Sequence, residues 1–161
     1  MMTPPSNCIY AFLPSGQEQA AAELVEQTFM AQVAPHYPPE GVQEFMSYVS
    51  AQAISGRLAA NNFMLAASSQ DKLIGIVEAD SSRGHIVWFF VEQEKQGRGV
   101  GRKLLAGALA ELKKRNPDIS EVTVNSSPNS VDIYSALGFA ATGQQQERNG
   151  ISFTPMAVSL A

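Results

Sequence analysis

One cysteine, Cys8, stands among 161 residues, so no disulfide can form within the chain. That fits a reducing compartment and leaves Cys8 the plain role of a small apolar residue near the start of a strand. Charge is sparse too: 11 basic against 15 acidic side chains leave a formal net charge of −4. A balance of that sign excludes a large basic patch, and with it nucleic acid as a partner, and would suit a cationic substrate. Long apolar runs are missing. The longest covers residues 86–91, far short of a bilayer span, so no membrane partner is expected. The opening MMTPPSNCIYAFLPS has neither a basic stretch nor a continuous apolar one, which argues against a signal peptide. There is no repeat or low-complexity tract, and the length suits one domain, residues 1–161. The expectation is a soluble, cytoplasmic protein with no metal site.

What is present is a regular alternation of apolar periods. CIYAFL reads as a strand, and Ser15 with Glu18 has capping-box spacing ahead of a helix to about residue 34. Ala21, Leu24, Val25, Thr28 and Phe29 form its apolar face. Pro35, Pro38 and Pro39 break it, and a second helix is expected over residues 40–58. FMLAASSQDKLIGIVEAD reads as two strands around a tight turn, and HIVWFFV as a strand buried on both faces. A helix with Leu104, Leu105, Ala108, Leu109 and Leu112 on its apolar face follows, ending in Lys113, Lys114 and Arg115 before Asn116-Pro117. A strand over 121–125, a short helix over 129–137 and two strands over 140–147 and 151–160 complete the chain. Asn149-Gly150 is the hairpin signal between the last two. The order β-α-α-β-β-β-α-β-α-β-β predicts an α/β fold with a mixed, mostly antiparallel sheet flanked by helices.

Gly97, Gly99 and Gly101 alternate directly ahead of the long helix. Three glycines in five residues imply a backbone shape or a close approach that side chains would forbid. The dinucleotide fingerprint G-x-G-x-x-G fails in both registers, because its third glycine falls on Arg102 or Leu104. The P-loop pattern fails at Arg102 as well. What remains is Q-x-x-G-x-G, from Gln96 to Gly101, between a buried strand and a helix N-terminus. Free amides and the positive end of the helix dipole there favour an anion, with Arg98 and Arg102 adding charge.

The run FFVEQEKQGRGVGRKLL resembles motif A of the GNAT superfamily of acyl-coenzyme A dependent N-acyltransferases. VNSSPNSVDIYSALGF resembles its motif B, with Y-x-x-x-G-F at Tyr134, Gly138 and Phe139. The two motifs cover about residues 85–139, and the order of elements agrees with the GNAT fold.

The resemblance implies acetyl-CoA as cosubstrate and a primary amine as acceptor: a small molecule, a peptide N-terminus or a lysine. Backbone amides of Gln96, Gly97, Arg98, Gly99, Val100, Gly101 and Arg102 would hold the pyrophosphate. The strand end, Phe89, Phe90 and Val91, would pair with the pantetheine arm, and one of its amides would face the thioester oxygen from a bulge. Tyr134 would protonate the leaving thiolate, for which a phenol with a reference pKa near 10 is suited. The position of a glutamate base in some members falls on His85 here, with Glu78 as its competitor and water as a third route. Where many members carry an asparagine and an alanine, this chain has Ser127 and Ser130, leaving Asn125, Ser127 and Asn129 as candidates for a pantetheine contact. Acceptor choice would rest on the segment supplying His36, Tyr37, Glu40, Glu44, Phe45 and Tyr48. The rival function is a GNAT-fold module that senses acyl-CoA or docks a partner without turnover. A monomer and a homodimer both remain open, the latter through an exposed edge at the last strand.

Overall fold

The computed structural model describes residues 8–160; the first seven, on which the absence of a leader was partly read, lie outside the described residues. The elements are β1 (Cys8–Phe12), α1 (Glu18–Gln32), α2 (Pro39–Met46), α3 (Ala51–Ala59), β2 (Asn62–Ser69), β3 (Lys72–Asp80) and β4 (His85–Val91). After these come α4 (Val100–Arg115), β5 (Glu121–Ser126), α5 (Val131–Ala136), β6 (Ala140–Ala141), β7 (Gln146–Arg148) and β8 (Ile151–Ser159). They form the expected α/β architecture: an open sheet ordered β1-β2-β3-β4-β5-β8-β6, with β7 also on β8, flanked by helices. Every pairing is antiparallel except β4 with β5.

Local chemistry explains both the agreements and the departures. Gln70 and Asp71 (φ 53° and 63°) close the β2–β3 hairpin, and Asn149 and Gly150 (φ 53° and 81°) close β7–β8. Consecutive positive φ values match such turns to the twist of the strands. The expected helix over 40–58 is two helices, because the Ser50 hydroxyl accepts a hydrogen bond from the Ala53 amide at 3.0 Å and starts α3 afresh. Helix α1 begins at Glu18 after Gln17, not at Ser15; the Glu18 carboxylate instead accepts from the Gly16 amide. The strand expected over 140–147 is broken into β6 and β7. Opposite the break lies Pro155, which has no amide to donate to a ladder. Strand β8 is not an edge: β5 covers one side, β6 and β7 the other. Covered in this way, β8 offers no long free edge to a second copy.

The sheet has two differently furnished faces. Helix α4 packs on one through Val100, Leu104, Leu105, Ala108 and Leu112, joined by Tyr134 and Phe139. Helices α1 and α3 cover the other over Met64, Ala66, Ile76 and Trp88. Side chains alternate along β4, so Trp88 and Phe90 turn to the α1–α3 face while Phe89 and Val91 turn to the α4 face.

Candidate active site

Strands β4 and β5 are partners only where β4 begins, through His85↔Thr123 and Ile86↔Val124. Trp88 then faces Glu78 while Ile86 faces Ala79, so Val87 is the extra residue of a β-bulge. The bulge thus lies before the Phe89–Val91 stretch proposed from the sequence. Past it the two parallel strands separate. The Glu92 amide donates to the Ile74 carbonyl at 2.8 Å, and strand alternation turns the amides of Phe89 and Val91 the other way, into the gap. The Phe90 amide faces β3 and is not available.

At the wide end of the gap sits the glycine loop, and the three glycines turn out to have different reasons. Gly97 and Gly99 hold φ values of 77° and 87°, in the left-handed region. Gly101 is a matter of room: a Cβ there would stand 2.9 Å from Cζ of Phe89. Gly99 begins α4 with no side-chain cap, so the first-turn amides stay open to whatever occupies the gap. Gln96 fixes the loop by donating from Nε2 to the Val91 carbonyl and to Oε1 of Gln32, both at 2.9 Å. The Gln32 carbonyl in turn accepts from Nδ2 of Asn129 at 3.0 Å. The end of α1 therefore ties the loop to the segment after β5. No sequence motif marks Gln32.

The gap opens into a cleft of about 1000 Å³ that passes from one face of the sheet to the other. Phe89, Phe90, Val91, Gln96, Gly97, Gly99, Gly101, Arg102, Asn125, Ser127, Asn129 and Tyr134 all line it. Ser127 and Ser130 hydroxyls bond each other at 3.0 Å, so this serine pair is internally satisfied. Tyr134 is buried, its ring 5.9 Å from Phe89 and 5.5 Å from Phe139. Burial pushes its phenol well above the ordinary range, which keeps the proton in place at neutral pH.

Several of the residues singled out from the sequence lie elsewhere. Val100 is in the core. Arg98 lines a smaller cavity with Lys72, Glu92 and Lys95. His85 is not among the cleft residues; its Nδ1 is 2.8 Å from the Thr123 hydroxyl. Burial, with Arg83 nearby and Asp80 opposing, lowers its pKa to about 4. Glu78 is fully buried beneath the cleft, gripped by Arg57 at 2.7 and 3.1 Å and by Asn62 at 2.6 Å. Of the segment singled out for acceptor choice, Tyr37, Phe45 and Tyr48 reach the cleft, whereas His36, Glu40 and Glu44 do not. Phe29, Trp88 and Arg148 line it without having been singled out.

Residues 33–160 match the family model described as an acetyltransferase (GNAT) domain. The chain belongs to the GNAT acetyltransferase family. Among solved structures, a GCN5-related N-acetyltransferase from Rhodopseudomonas palustris superposes with a TM-score of 0.78 at 21% identity, covering 99% of this chain and 98% of that one. The PaiA N-acetyltransferase of Thermoplasma acidophilum, crystallised with coenzyme A, gives 0.77 at 18% identity, covering 95% and 99%. Aminoglycoside 6'-N-acetyltransferase from Enterococcus faecium gives 0.72 at 14% identity, covering 95% and 97%. No curated protein sequence matches the chain. The GNAT membership gives the general chemistry, acyl transfer with a coenzyme A type cosubstrate. No cluster of metal-ligating side chains and no helix long and apolar enough to cross a membrane occurs among the described residues.

Proposed function

We propose that the chain is one acetyltransferase domain, residues 1–161, acting in the cytoplasm. It moves an acetyl group from acetyl-CoA to a primary amine by direct attack in a ternary complex. The observation that carries this reading is the gap between β4 and β5, with uncapped α4 amides at one end and Tyr134 beside it.

In this reading the amides of residues 97–102 hold the pyrophosphate, with Arg102 as the charged side chain beside it. Arg98 and Val100 contribute main chain alone. The unpaired edge of β4 takes the pantetheine arm. We assign the oxyanion contact to the Phe89 amide, which points into the gap next to Tyr134; one such donor contributes roughly 3 kcal/mol to the transition state. The amine nitrogen forms its bond to the acetyl carbon, the carbon–sulfur bond breaks, and Tyr134 gives its proton to the departing sulfur.

Neither His85 nor Glu78 is given the base role, since one stands outside the cleft and the other is held by Arg57 and Asn62. Water in the cleft takes the amine's proton. Aromatic walls and nearby guanidinium groups favour the neutral amine, the form that attacks.

Thermal unfolding with acetyl-CoA, with NAD and ATP as controls, followed by thiol release with a panel of amines, tests the reading. Ligand at 100 times its dissociation constant stabilises by about 2.7 kcal/mol, a rise of roughly 5–10 °C for a chain of this size. A rise with acetyl-CoA alone and thiol release with an amine are expected. Absence of any rise refutes the cofactor site, and a rise without turnover for any amine turns the reading to an acyl-CoA sensor.

A further inference from the structure

The acceptor half of the cleft has a definite chemical character. Phe29 stacks on Phe45 at 3.8 Å between ring centroids, and Trp88 and Phe90 stand 5.8 and 6.0 Å from Phe45. This aromatic floor asks for an apolar body in the ligand. Its charges are nearly all cations. Asp80 is the one carboxylate lining the cleft among the described residues, and it is paired with Arg83 at 2.9 Å. Glu78 beneath is neutralised by Arg57. A ligand with two or more ammonium groups finds no carboxylate here that is not already paired.

The rings do not substitute for one. The Arg57 guanidinium already lies 4.9 Å from the centre of the Trp88 ring, so a second cation there meets repulsion. Arg148, by contrast, reaches the cleft from the β7–β8 hairpin, 5.6 Å from the Phe153 ring, and no described carboxylate pairs with it. Nε1 of Trp88, in the aromatic floor, is buried without a partner, and it is a donor. The site offers donors and a free cation, and asks for acceptors and negative charge.

We propose that the acceptor is an amine of about amino-acid size that carries an aromatic or branched apolar side chain and a carboxylate, and that Arg148 binds that carboxylate. The proposal rests on the acetyl-transfer reading above and adds the substrate class. A cleft in the usual ligand-site range, shared with the thioester arm, leaves room for a body of that size. Arginine suits the task because its planar donors match a carboxylate in pairs.

The test is thiol release from acetyl-CoA with phenylalanine, tryptophan and leucine, against their carboxamides, spermidine and an aminoglycoside. The free acids are expected to exceed the carboxamides and the polycations at least ten-fold in kcat/KM. Arg148→Gln should raise KM for the acids about ten-fold or more with kcat nearly unchanged, leave the carboxamides as they were, and Arg148→Lys should restore part of the loss. With a lysine-containing peptide added to the panel, a polycation as the best substrate, turnover of the peptide alone, or equal effects of Arg148→Gln on acid and carboxamide overturns the proposal. If none of these amines reacts although acetyl-CoA raises the unfolding midpoint, the acceptor class is wrong while the cofactor site stands. If acetyl-CoA gives no rise either, the acetyl-transfer reading fails and the acceptor class falls with it.

Discussion

Two glycine-to-alanine changes in neighbouring helices should act in opposite directions. Gly41 lies in α2 and Gly56 in α3. In an exposed helix interior, alanine is favoured over glycine by about 1 kcal/mol. At Gly56 nothing stands within 4 Å of the added methyl, so Gly56→Ala should stabilise by up to that amount. At Gly41 the methyl overlaps the carbonyl oxygen of Gly150 and comes within 2.8 Å of its carbon. Both obstacles are main chain at the tip of the β7–β8 hairpin, which cannot rotate out of the way like a side chain. Overpacking of this kind costs about 1–3 kcal/mol or more, and the helix gain offsets only part of it. Gly41→Ala should therefore lose roughly 2 kcal/mol, a fall of about 4–8 °C in midpoint for this length. Circular dichroism melts of both variants supply the check. Because the glycine loop is at the far end of the cleft, acetyl-CoA binding should survive in Gly41→Ala while acceptor binding, proposed above to use Arg148 of that hairpin, weakens. A midpoint for Gly41→Ala equal to or above the parent would refute the backbone contact between α2 and the hairpin.

Other expectations concern the site and its supports. Tyr134→Phe should lower kcat about 100-fold or more while the dissociation constant for acetyl-CoA stays within a factor of about three, by stopped-flow turnover and titration. Glu78→Ala leaves Arg57 without its buried partner and should cost about 3 kcal/mol in urea unfolding. His85 is held neutral in the fold, with a pKa of about 4 against an ordinary 6.5. Its contribution is complete above pH 6.5 and is lost as the pH falls towards 4, because the unfolded chain binds a proton that the folded one refuses. Unfolding free energy should drop across that interval by on the order of 2 kcal/mol, allowing for the partly exposed ring, and His85→Gln should flatten the drop.

Sequence reading reached the fold, and many of the residues it singled out do line the cleft, because both are encoded locally. Apolar period, the Asn149-Gly150 turn and the glycine spacing each depend on residues close in the chain. The misplacements share a different cause. Whether Ser50 restarts a helix or Pro155 interrupts a ladder depends on competition between neighbouring hydrogen bonds, and pattern alone gives no weight to that contest. The bulge at Val87 is visible only once β3 is laid beside β4. Arg98 and His85 were singled out by their place along the chain, and a side chain's direction past a glycine turn or a strand start is set in three dimensions. Gln32 and Arg148 come from helix and hairpin ends that look ordinary in one dimension; nothing announces that they meet the same cleft.

The narrow pairing of β4 with β5 also has a mechanical side. Strands β1 to β4 form one half-sheet, and β5 to β8 the other, and along the seam only two residue pairs join them. The rest of that seam is bridged by Gln32 through its contacts with Gln96 and Asn129. A ligand arm lying along the open edge of β4 would supply main-chain partners where a strand neighbour is missing. Loading would then knit the two halves together as well as prepare them for reaction. Pulled apart across the seam in a force experiment, the protein should resist more with its cosubstrate in place than without it.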